Sequence, residues 1–152
     1  LCPACRIAYY PKDEQLLEIG LDATRLEEHI ADLRRAAATT IVGESKVALK
    51  SASDLGTVEG TARADGVFFY RPAGCDACSH TGYRGRLGIF EMMQVDEPVR
   101  REILKGSDAK MIQKVARAQQ GMRLLREDGA RQVFAGVTSI EEVLAATQAG
   151  DN

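Results

Sequence analysis

The stretch GCDACSHTGYRGRLGIFE, residues 74–91, contains a Cys-x-x-Cys pair that runs directly into a Gly/Arg-rich turn. It has one counterpart, LCPAC at residues 1–5. The two pairs, Cys2 with Cys5 and Cys75 with Cys78, use all four cysteines of the 152-residue chain. A Cys-x-x-Cys turn sets two thiolates on one side of a tight loop. Two such turns complete a tetrahedral zinc shell with Zn–S bonds of about 2.3 Å and leave no open position for catalysis. With no cysteine left over, the spacing predicts a structural zinc site at Cys2, Cys5, Cys75 and Cys78. A redox dithiol, a disulfide or four ordinary buried cysteines are the competing readings; the redox one requires a βαβ pattern around a single pair, which the sequence lacks. His80, two residues after Cys78, reads as a bystander, and His29 reads as a surface residue of a helix. Zinc would then staple the start of the chain to its middle and close the residues between into a loop.

Outward from the cysteines, the composition is that of a globular chain, with 45% hydrophobic and 28% charged residues. A formal net charge of −2 leaves no electrostatic footprint for nucleic acid. Apolar runs are too short for a membrane-spanning helix, and the first residues lack the apolar core of a signal peptide. The sequence starts one residue before a cysteine motif without an initiator Met, and so reads as a piece of something longer.

The coarse pattern is α+β and mostly helical. A short helix is expected around Leu16, Leu17 and Ile19. A longer one, with Leu26, Ile30, Leu33 and Ala37 on one face, is expected to follow. From Thr39 to Gly66 the sequence shows no period and admits either short strands or a mobile loop. VFFYR at 67–71 reads as a strand, as does Leu87–Val95. Four helices should follow: one capped by Asp96 with Pro98 in its first turn, one capped by Ser107, one over about Met122–Ala135, and one opened by a Ser139/Glu142 capping box. The chain thus divides into residues 1–95, a zinc-binding tetracysteine region with short strands and a long insertion at about 23–66, and residues 96–152, a C-terminal helical bundle.

In TGYRGRLG, the glycines permit a tight path while Arg84 and Arg86 project fixed forks of donors, suited either to a phosphate or carboxylate or to plain solvation. There is no G-x-x-x-x-G-K-[ST] loop, no H-E-x-x-H and no nucleophile elbow. Glu91 reads as a surface or salt-bridged acid.

Three stretches, LCPAC, GCDACSHTGYRGRLGIFEMMQVDEPVR (74–100) and GMRLLREDGARQVFAGVTSIEEVLAAT (121–147), resemble the C-terminal portion of the secretion ATPases that power type II secretion and type IV pilus assembly. The resemblance covers about half the chain. It implies zinc at Cys2, Cys5, Cys75 and Cys78, and a parent that is a cytoplasmic hexamer beneath the inner membrane hydrolysing ATP with Mg²⁺. The fragment itself would be structural and force-transmitting, with no ATPase activity, because the nucleotide-binding motifs precede it. Its partners would be the rest of the parent, neighbouring subunits and inner-membrane secretion or pilus platform proteins, with Arg84 and Arg86 reaching a nucleotide or a subunit. Compared with the family, the spacer between cysteine pairs is enlarged from Ala23 to about Gly66. A free-standing zinc-ribbon module for protein or nucleic acid is the alternative; the acidic balance weighs against nucleic acid.

Overall fold

A computed structural model of the chain describes residues 1–21, 58–64 and 66–147, Ala31, and the backbone of 41–42 and 45–46. The expected helix around Leu26–Ala37, His29 and most of the 39–66 stretch lie outside the described residues. The fold is mixed, with helices around a small antiparallel sheet. Strand β1 (Ile7–Tyr9) leads to helix α1 (Asp13–Glu18), and strands β2 (Ile41–Val42) and β3 (Ser45–Lys46) pair with each other. Strand β4 (Phe69–Arg71) returns antiparallel to β1 in the register Ile7↔Arg71, Ala8↔Tyr70, Tyr9↔Phe69. Glu59 extends this small sheet through a bridge to Tyr9, with Tyr10 N donating to Glu59 O at 2.9 Å.

Leu16 in α1 and Ile19 at its C-cap stand three residues apart, face inward and are buried, while Leu17 is 55% exposed. The C-terminal half contains α2 (Glu97–Leu104), α3 (Ala109–Gln120), α4 (Leu125–Phe134) and α5 (Ile140–Thr147). Asp96 caps α2 as expected, with Oδ1 accepting from Val99 N at 3.1 Å. The cap of α3 is Asp108 rather than Ser107: Asp108 Oδ1 accepts from Met111 N at 2.7 Å. Ser107 instead donates to Glu102 Oε2. Helix α4 starts later than expected because Glu127 reaches back to accept from Leu124 N at 2.8 Å.

The expected C-terminal bundle resolves into two helical hairpins. Helix α2 packs on α3 around buried Val99 and Ala116. Helix α4 packs on α5 and on β4. The small inner residues of α4 and α5 cannot close a core alone, so Ala130, Val133, Ile140 and Val143 share one with Leu16, Ile19, Leu21, Val67 and Phe69. Phe134 meets Phe69 edge-on at 6.0 Å between ring centroids. Gly129 permits the close approach of α4 and α5: a Cβ there would lie 2.5 Å from Val143 Cγ1.

Leu87–Val95 forms no strand, because none of the described strands pairs with it. Its backbone is held by side chains: Asp128 Oδ2 accepts from Phe90 N at 3.1 Å, and Gln120 clasps Gln94 through both its backbone N and O.

Candidate metal centre

The β1–β4 pairing brings the cysteine pairs together, since Cys5 precedes β1 by two residues and Cys75 follows β4 by four. At the first pair, Cys5 N and Arg6 N both donate to Cys2 O, turning the chain around Pro3-Ala4. At the second, a 3-10 turn over Asp76–Cys78 is closed by Cys78 N and His80 N donating to Cys75 O. Ser79 and His80 then take left-handed backbone conformations, φ 53° and 61°. This turn aims two amides at one sulfur: Cys75 N and Gly82 N each lie 3.2 Å from Cys78 Sγ. The carbonyl of Gly82 accepts from Cys2 N at 2.8 Å, so one residue links both halves of the site. Only glycine fits there: φ is +77° and a Cβ would lie 2.4 Å from Pro72 Cβ.

The four sulfurs surround one point. Cys2 and Cys75 Sγ are 4.0 Å apart, Cys5 and Cys78 Sγ 3.9 Å, and Cys75 and Cys78 Sγ 3.8 Å. All four lie within 4.8 Å of one another, and all four cysteines are free of disulfide bonds. Metal–thiolate bonds of about 2.3 Å in a tetrahedron place neighbouring sulfurs about 3.8 Å apart. The donor set therefore fits a tetrahedral metal of the zinc type and leaves no position for water or substrate. Burial would raise the Cys78 thiol, but the Cys75 and Gly82 amides, with the Cys75 and Cys5 thiols, bring it down to about 6. Burial, opposed by the Gly74 amide and reinforced by the other three thiols, pushes Cys5 up to about 11. Thiols packed this closely do not ionise independently, and a cation among them favours the thiolate form of all.

Around the centre, Tyr83 Oη and Ser139 Oγ are 2.8 Å apart, tying the turn after the knuckle to the start of α5. Ser139 thus bonds Tyr83 more closely than it caps α5, where Glu142 N donates to it at 3.5 Å. Arg6 lies over the Tyr70 ring, 4.3 Å from its centroid, and donates to Gly136 O. His80 Nε2 is 3.0 Å from Asp76 Oδ1 on the surface, outside the sulfur cluster. Glu91 caps α4, its Oε2 accepting from Leu125 N at 2.9 Å. Arg84 and Arg86 are exposed and form no hydrogen bond or ion pair with any described residue. The glycines of TGYRGRLG signalled a tight path, which Gly82 takes at φ +77°, but no pattern pointed to the roles of Tyr83 or Asp128, whose partners are distant in sequence.

The profile of the family described as "Type II/IV secretion system protein" matches residues 1–145. Among curated proteins, the chain is 43% identical over 86 residues to a "Type IV pilus assembly ATPase PilB" of Thermus thermophilus, covering 57% of this chain and 10% of that protein. It is 33% identical over 149 residues to a "Type II secretion system protein E" of Dickeya dadantii, covering 97% of this chain and 21% of that protein. It is 47% identical over 76 residues to a "Type IV pilus assembly ATPase TfpB" of Acinetobacter baylyi, covering 49% of this chain and 13% of that protein. The aligned part of this chain thus spans between a tenth and about a fifth of the length of these relatives.

Proposed function

The chain belongs to the type II/IV secretion system protein family, and from that premise we propose that it is the C-terminal, zinc-stapled part of a longer ATPase that powers type II secretion or type IV pilus assembly. The observation that carries this reading is the cluster of four free thiols at the spacing of a tetrahedral thiolate shell. Cys2, Cys5, Cys75 and Cys78 would hold the zinc, which would cross-link two turns and supply no open coordination site. ATP and Mg²⁺ would be bound by the parent's residues outside these 152, in a hexamer at the cytoplasmic face of the inner membrane. There the domain would pass motion to neighbouring subunits and to platform proteins. Among the described residues no helix is long and apolar enough to cross a membrane.

Arg84 and Arg86 extend this reading. Their turn leaves the knuckle directly and is anchored through Tyr83, so little backbone entropy remains to be lost when a guanidinium meets a charge. We assign them contact with a nucleotide phosphate or an acidic group across a subunit boundary. The test uses the full-length parent. Elemental analysis of protein purified without added metal should find one zinc per protomer, and Arg84→Ala or Arg86→Ala should slow ATP hydrolysis without lowering Tm. Arg→Lys should rescue only in part, since a point charge cannot reproduce a bidentate fork. A metal-free protein with the same fold would sink the zinc assignment. Unchanged hydrolysis in both alanine variants would return the arginines to solvent.

A further inference from the structure

Arg84 and Arg86 sit on a turn whose two ends are both bonded to the α4–α5 hairpin. At the entry, Tyr83 Oη lies 2.8 Å from Ser139 Oγ, just before α5. At the exit, Asp128 Oδ2 in α4 accepts from Phe90 N at 3.1 Å, and Glu91 Oε2 accepts from Leu125 N at 2.9 Å. The entry is also tied back to the knuckle, since Thr81 Oγ1 accepts from Tyr83 N at 3.3 Å and donates to Cys78 O at 2.7 Å. Between these anchors Gly85 takes φ +74°, and Arg84 and Arg86 stay exposed.

Two of the anchors are costly ones. The buried polar residues among those described are Asp128, Gln132, Ser139 and Thr147, and Asp128 and Ser139 both bond to this one segment. A buried carboxylate is unfavourable unless its oxygens find donors. Asp128 meets that demand with Phe90 N on Oδ2 and with Arg131 Nη1 on Oδ1 at 2.8 Å. An apolar side chain there would avoid the cost but would leave Phe90 N unheld. Core stability therefore does not account for Asp128; the placing of the chain beyond Arg86 does. We propose that the α4–α5 hairpin is the mount of the arginine turn, and that Asp128 and Ser139 are positioning residues for Arg84 and Arg86. The inference rests on the charged contact assigned to those arginines above. A guanidinium fork meets phosphate or carboxylate in a fixed geometry, and a misplacement of about 1 Å can cost on the order of 100-fold in rate.

Limited digestion of the full-length parent with trypsin, read by mass, tests the mount directly, because trypsin cuts after arginine. Asp128→Asn offers one oxygen to two donors and turns its NH2 group toward one of them. It should speed cleavage after Arg84 and Arg86 about 10-fold, the weight of one bond to a charged group. Tyr83→Phe loosens the opposite end and should speed it about threefold. Asp108→Ala, which weakens a cap in the other hairpin, should leave cleavage there unchanged. Unchanged cleavage in the first two variants, or equal acceleration in the third, would overturn the proposal. Hydrolysis supplies the second readout. Asp128→Asn should lower kcat about 10-fold with a smaller change in KM for ATP. In a parent already slowed by Arg84→Ala or Arg86→Ala, it should lower kcat by no more than about twofold, because both changes remove one interaction. An undiminished drop in that background would mark a merely structural role and overturn the proposal. Hydrolysis indifferent to both arginines would overturn it too, leaving nothing to position. Should Asp128→Asn fail to fold, Tyr83→Phe carries both readouts. Faster cleavage in a parent without any ATP hydrolysis keeps the mount and sinks the ATPase reading; arginine-dependent hydrolysis with unchanged cleavage does the reverse.

Discussion

The zinc-type knuckle and the α2–α3 hairpin sit about twenty residues apart in sequence and are held together in opposite ways. Around the thiols, bonds link residues far apart: Cys2 N to Gly82 O, Tyr83 to Ser139, Arg6 to Gly136. The hairpin is tied locally, through Asp96 and Asp108 caps and near-neighbour ion pairs such as Lys105–Glu102, and it presents Ile103, Leu104 and Met111 to solvent. The first region has too little apolar area to stand alone and recruits a metal-binding cluster and the sheet. The second is complete as a hairpin, and its outward side offers apolar surface that single helices rarely leave bare over so short a span. Long-range bonds thus hold the one region, and local caps and ion pairs hold the other.

The strongest way to break this contrast is to chelate the zinc proposed at the four thiols. Structural zinc couples to folding with apparent free energies on the order of 10 kcal/mol. Chelation should therefore deprotect the amides of Cys2, Cys78 and Gly82 in hydrogen exchange while those inside α2 and α3 keep their protection. Uniform loss across both regions would mean that the hairpin also depends on the knuckle.

Gly82→Ala comes next. It adds a Cβ 2.4 Å from Pro72 Cβ at a residue with φ +77°, combining backbone strain with overpacking. A loss of about 3 kcal/mol is expected, read as a fall in denaturant midpoint together with faster metal release to a competing chelator. A wild-type midpoint would show that the turn relaxes freely.

A smaller effect should appear only in alkali. Burial, with the Glu141 carboxylate nearby, pushes the Tyr9 phenol up to about 12 from an ordinary 10. The folded state therefore binds this proton more tightly than the unfolded chain. Its contribution is fully present below pH 10 and is lost as pH rises through 12. Tyr9→Phe should flatten the stability profile over that window in the sheet region, and an unchanged slope would assign the alkaline loss elsewhere.

The smallest change concerns the hairpin. Asp108→Ala should cost about 1 kcal/mol by removing the acceptor for Met111 N. Ser107→Ala should cost less, since its hydroxyl serves Glu102. The reverse order of melting temperatures would restore Ser107 as the cap.

Where the sequence was legible, a short-range rule was at work. Asp96 with Pro98 announced a helix start, Leu16, Leu17 and Ile19 announced a short helix, and Cys-x-x-Cys spacing announced a clustered thiol site. Ser107 misled because Asp108, one residue on, offers a charged acceptor that the cap geometry prefers. Leu87–Val95 has the composition of a strand, but pairing is a property of two segments, and here the second is not among the described residues. The shared core of α4, α5, α1 and β4 was illegible for a related reason: the small residues of α4 and α5 look sufficient for a bundle until their partners are counted. Tyr83 and Ser139 are ordinary in isolation and meet only through the fold.

The register of β1 against β4 has one further consequence. Because Ile7 faces Arg71 and the thiols cluster just beyond, the entry and exit of the spacer are pinned side by side whatever lies between them. The entropy of closing such a loop grows only with the logarithm of its length, so doubling the spacer would cost about 0.6 kcal/mol. A length change confined to the stretch between Leu21 and Val58, which leaves β1, α1, β4 and their core residues in place, would therefore add little loop-closure cost, and that stretch is a natural port for grafting a reporter or an affinity handle onto the parent protein.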